Sequence, residues 1–211
     1  MKKVLEIGGF VSGAILIFFG VAVIALGANA RSTVNSSLNQ EQITGSPDMT
    51  PALIKVEATK AGLTNVGLPG CNVAGLAINT GPRARCFATY MRIHALEASG
   101  GLTYAQMPRF ATADGKGTND AAAALNGSNG QPVANAARDT WVTETALATA
   151  LNVSFMADRL ALFSVVIGFA LLLSGIGFIV LDYAALHRRR AAGAAAEESA
   201  AAVQPQKTVT A

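Results

Sequence analysis

Charge and metal-ligating side chains are scarce in this sequence. Only 14% of its residues are charged, two are histidine, two are cysteine and one is tryptophan. Two cysteines cannot supply a thiolate zinc site without further ligands, and the only histidine near them in the chain is His94. The second histidine, His187, lies beyond a long apolar run, so the pair cannot share a metal. The excess of Lys and Arg over Asp and Glu, 16 against 13, looks basic until it is mapped along the chain. Between Arg31 and Arg159 there are 10 basic and 9 acidic residues. The other basic residues are Lys2, Lys3, Arg188, Arg189, Arg190 and Lys207, and all but the last flank an apolar run. That distribution is a topology signal and excludes a nucleic-acid patch.

What the chain does have is two long apolar runs. Ile7 to Leu26 holds 20 residues without a charge, and Leu160 to Leu181 holds 22 without charge, proline or asparagine. At 1.5 Å per residue each covers roughly 30 Å, about one hydrocarbon core, so both are expected to be transmembrane helices. Positive clusters lie before the first and after the second, which places both termini in the cytoplasm and residues 31–159 outside the plasma membrane. Lys2, Lys3, the apolar run and Ala28-Asn29-Ala30 also fit a secretory signal cleaved after Ala30, although the run exceeds the roughly 7–15 residues usual for such a segment. The expected organisation is a first span in residues 1–30, an extracytoplasmic α-helical domain in 31–159, a second span in 160–183 and a disordered cytoplasmic tail in 184–211. The fold class is all-α, with two antiparallel transmembrane helices continuing into a small outer domain.

Cys71 and Cys86 both fall in the outer segment, where thiols oxidise, so a disulfide between them is expected. It would add about 3 kcal/mol by chain-entropy arguments. The first helix continues as a stalk to about Ile43, and Asp48 or Thr50 caps a short helix that has Pro51 at its first position and stops near Gly62. The apolar pieces Val73-Ala74 and Leu76-Ala77-Ile78 suggest a small hairpin. Gly81-Pro82 and Gly100-Gly101 bracket a helix whose Phe87, Tyr90, Met91 and His94 share one face. Thr103 to Thr112 and Thr118 to Leu125 read as further short helices. A final long helix runs from Pro132 to about Arg190, carrying an apolar stripe through Ala137, Trp141, Ala148, Leu151 and Phe155.

Within the apolar runs, small residues recur in register: Gly13, Gly20 and Gly27 on the first, Ala161, Gly168 and Gly175 on the second. Such grooves let helix backbones approach closely in lipid, the partner being either the other span or another subunit. Glu6 and Asp182 lie at the membrane edge, where they can reach water or nearby cations, and do not mark an ion path. His94 with Glu97 one turn on resembles half of a metal site, but a lone histidine beside Phe87 and Met91 reads as a core or boundary residue. Asp114, Asn119 and Asp120 lack EF-hand spacing, and Gly115-Lys116-Gly117-Thr118 lacks that of a P-loop.

The run Gly81-Pro82-Arg83-Ala84-Arg85-Cys86-Phe87-Ala88 through Met91-Arg92-Ile93-His94, then Gly100-Gly101-Leu102-Thr103-Tyr104, and Asn135-Ala136-Ala137-Arg138 to Trp141-Val142, resembles a family of two-span membrane proteins from actinobacteria. Some members are labelled aromatic ring-opening dioxygenases, which implies non-haem iron held by two histidines and a carboxylate. The separation of His94 from His187 does not support that label. No catalytic residue, cofactor or metal is expected. The residues lead to a non-enzymatic scaffold or accessory subunit of a membrane complex, in contact with lipid and either self-associating or joined to other membrane proteins. The alternative is a module that binds a small envelope ligand in a pocket of Phe87, Tyr90, Met91 and Trp141.

Overall fold

The computed structural model describes Lys2 to Ala202, with side chains from Ile7 to Ala196. It is helical: α1 spans Lys2–Gln40, α2 Pro51–Lys60, α3 Gly81–Ala98 and α4 Ala136–Ala202, with one turn of 3-10 helix at Ala121–Ala123. Among the described residues there is no strand, only isolated bridges. The chain divides into two compact units, one formed by Met1–Ala28 and Leu162–Ala211 and the other by Asn29–Ala161.

The first unit holds the apolar parts of α1 and α4, both long and apolar enough to cross a membrane. Large side chains along them are exposed, among them Phe10, Phe18, Phe163, Phe169 and Leu173. α4 is unbroken, and its alanine-rich end continues to Ala202, into the 184–211 stretch expected to be a disordered tail. Alanine has the lowest intrinsic cost in a helix, and nothing between Ala191 and Ala202 interrupts one. The expected disorder of residues 203–211 falls outside the described residues.

In the second unit α2 and α3 start where their prolines stand. Thr50 Oγ1 accepts from Leu53 N–H ahead of Pro51, and Thr80 occupies the corresponding position ahead of Gly81-Pro82. α3 ends at a left-handed pair, Gly100 and Gly101, and the Gly101 N–H returns to the Leu96 carbonyl at 2.7 Å. The main core joins Leu38 of α1, Ile54 and Ala58 of α2, Phe87, Tyr90 and Ile93 of α3, and Leu151 of α4, with Val73 and Ile78 between them. A smaller cluster joins Ala95 and Leu96 to Met107 and Trp141. The Cys71–Cys86 disulfide forms, and the Tyr90 hydroxyl donates to the Cys71 carbonyl, fixing the same loop to α3 from both sides.

Four expectations are corrected. The segment 73–78 turns, with Leu76 N–H bonded to the Val73 carbonyl, but its arms pair with residues 43–45 and not with each other: Ile78 N–H donates to the Ile43 carbonyl, Gly45 N–H to that of Leu76, and Gly75 N–H to that of Gly45. α1 therefore stops at Gln40, because Ile43 and Gly45 are committed to this pairing. The stretch 103–125 forms no α-helix. Phe110 bridges both Thr118 and Ala134, and Val133 N–H bonds the Leu125 carbonyl, a folded loop whose backbone groups pair over long range. α4 accordingly begins at Ala136 rather than Pro132, with Asn135 Oδ1 accepting from Ala137 N–H.

Candidate functional site

In the first unit the small residues determine how closely the backbones approach. A Cβ placed on Gly20 would lie 2.8 Å from the Gly168 carbonyl oxygen, and one on Gly13 would lie 2.8 Å from that of Gly175. The converse additions, on Gly168 and Gly175, meet the Gly20 and Gly13 carbonyls at 2.8 and 2.6 Å. No side chain fits at any of the four. Gly27 and Ala161 are buried too. Gly9 lies directly against the Asp182 carboxylate, whose Oδ2 is buried without a hydrogen bond among the described residues.

In the second unit the stripe on α4 runs on a three- and four-residue rhythm through Ala137, Trp141, Glu144, Ala148, Leu151, Phe155 and Asp158, so two acids occupy core-facing positions. Asp158 is 2% exposed, accepts from Arg31 Nε at 3.0 Å, and packs against Gly81 at the N-terminus of α3. Glu144 is 4% exposed, and its Oε1 has no hydrogen-bond partner among the described residues. Burial pushes its carboxyl above the ordinary value, against the pull of the Arg92 guanidinium and a hydrogen bond from Thr145. Arg92 also stands over the Trp141 ring at 5.3 Å. Glu144 lines two cavities between α3 and α4, one of about 280 Å³ shared with Arg85, Arg92 and Asn152, the other of about 550 Å³ shared with Met91, His94 and Asp139.

No protein family, curated protein or solved structure matches this chain. Its chemistry must be read from its own residues. Of the four residues expected to line a pocket, Phe87 and Tyr90 are buried in the main core and Trp141 in the smaller cluster, while Met91 faces the 550 Å³ cavity. Trp141 also borders a separate opening of about 520 Å³ with Tyr104 and Thr145. The structure does not bring the four to one wall.

Two features escaped the sequence. Glu144 was legible in principle, since it falls on the stripe one turn after Trp141. The surroundings of His94 were not: its Nε2 faces Asp48 Oδ2 at 2.8 Å and Glu57 Oε2 at 3.8 Å, carboxylates distant in sequence, and not Glu97. Among the described residues these three form the group that could hold a metal ion, one ligand atom from each lying within 4.8 Å of the others. At Asp48, burial works to raise the carboxyl, but hydrogen bonds from the Ser46 side chain and the backbone, with the charge of His94, outweigh it and hold it below the ordinary value.

Proposed function

We propose that the chain is a two-span protein of the plasma membrane, its apolar helices packed as an antiparallel hairpin, and that it acts as a non-enzymatic scaffold or accessory subunit of a membrane complex. The observation that carries this reading is the glycine seam. Gly13 meets Gly175 and Gly20 meets Gly168, so contacts advance along one helix as they retreat along the other. The large apolar side chains that point away from the seam have no protein cover in the single chain, and lipid or a further subunit would supply it. The flanking basic residues favour cytoplasmic termini and an outer domain in residues 31–159. Neither span carries an internal charged series that would form a transport path.

Native mass spectrometry of the full chain in lipid nanodiscs tests the scaffold role. The expected result is a discrete homo-oligomer or a stoichiometric complex with another membrane protein; a monomer without protein partners at all concentrations contradicts it. The second reading, a module binding a small envelope ligand, is favoured by the 550 Å³ cavity beside Met91 and His94, whose size suits a small molecule. Co-purified lipid or metabolite released on Met91→Trp would favour it.

A further inference from the structure

We infer that Asp48, Glu57 and His94 bind one divalent cation of the late first-row transition series, with Zn²⁺ the closest chemical match. The inference is independent of the scaffold reading. The three ligands come from separate segments: the turn before α2, α2 itself and α3. Zinc bonds of about 2.0–2.2 Å to nitrogen and oxygen place tetrahedral ligand atoms roughly 3.3–3.6 Å apart. The separations of 2.8 Å for Nε2 to Asp48 and 3.8 Å for Nε2 to Glu57 straddle that value, and the two carboxylates offer oxygens within 4.8 Å of each other, so side-chain adjustments of about an ångström close the triangle.

The electrostatics point the same way. Among the described residues no Lys or Arg pairs with Asp48 or Glu57, so two carboxylates share one imidazole. The Nε2 atom is buried and, among the described residues, has no partner that meets full hydrogen-bond geometry, although Asp48 Oδ2 lies 2.8 Å away. A cluster rich in acceptors and poor in aligned donors is what a cation satisfies. The side chains of His94, Asp48 and Glu57 remain 28, 29 and 33% exposed, so an ion can enter from water. The Ser46 hydrogen bond to Asp48 orients a ligand from behind, as outer partners do at metal sites. The imidazole selects against Mg²⁺ and Ca²⁺, which prefer all-oxygen sites, and three protein ligands leave a position for water or an anionic group.

The test is metal titration of the purified full chain in detergent, by calorimetry with Zn²⁺ and by the visible absorption of Co²⁺. One equivalent is expected to bind, unaffected by millimolar Mg²⁺. Asp48→Asn and Glu57→Gln, each close to isosteric, should weaken binding at least tenfold, and His94→Gln should also abolish the imidazole contribution to the Co²⁺ spectrum. Glu97→Gln, one turn from His94, should bind as the parent does. Circular dichroism confirms that each variant is folded, and if Asp48→Asn fails to fold, Glu57→Gln alone decides. Binding that is absent, greater than one equivalent without saturation, or undiminished in Glu57→Gln overturns the site.

Discussion

Gly168 and Gly177 lie about two and a half turns apart on α4 and should respond in opposite directions to the same substitution. A methyl at Gly168 would meet Ile24 Cγ1 at 2.6 Å, the Gly20 carbonyl oxygen at 2.8 Å and Ile24 N at 3.0 Å. Ordinary contact begins near 3.4 Å, and two of these atoms are backbone, so α1 and α4 must separate by about half an ångström or more along the seam. Overpacking of this kind costs about 1–3 kcal/mol. At Gly177 an added methyl meets nothing within 4 Å. There the substitution removes only the glycine penalty in a helix, a gain of about 0.5–1 kcal/mol. Gly168→Ala should therefore lower the thermal midpoint of the full chain in detergent and weaken a cysteine cross-link engineered across the seam, whereas Gly177→Ala should raise the midpoint or leave it unchanged. Equal effects of the two substitutions would refute close backbone packing at Gly20 and Gly168.

Other consequences concern the second unit. Glu144→Gln should stabilise the chain at neutral pH by about 1 kcal/mol, since an unpartnered buried carboxylate oxygen is replaced by a neutral amide. Because the Glu144 carboxyl is raised above its ordinary 4.5 in the folded protein, the native state holds the proton more tightly than the unfolded one. The stability this gives is present below about pH 4.5 and lost as pH rises through the folded value, so the gap between variant and parent should open with increasing pH in thermal melts; a gap independent of pH would contradict it. Cys86→Ser should cost about 3 kcal/mol from loop closure and render Asn72 to Ala77 susceptible to limited proteolysis.

The helices were legible where the signal is local. Pro51, Pro82 and the Gly100-Gly101 pair mark ends by their own backbone preferences, and the uncharged runs of α1 and α4 identify themselves by length. The stretch from Thr103 to Asn135 was misread because its apolar residues are few and its hydrogen bonds connect positions such as Phe110 and Ala134, which no local pattern records. The same holds for the candidate metal ligands: His94 is one turn from Glu97 in sequence, but the packing of α2 on α3 gives it Asp48 and Glu57 instead. Asp158 adjoins an apolar run, a place that suits a boundary charge, but its position on the stripe through Leu151 buries it against Gly81 and Arg31.

The central claim, that the chain crosses the membrane twice with residues 31–159 outside, is tested most directly by labelling single added cysteines with a membrane-impermeant maleimide in intact cells. Lys116→Cys lies on an exposed loop of the second unit and Ala194→Cys on the exposed end of α4. Labelling of Lys116→Cys in intact cells, with Ala194→Cys reacting only after permeabilisation, is the predicted result. Labelling of both in intact cells, or of Ala194→Cys alone, would contradict it.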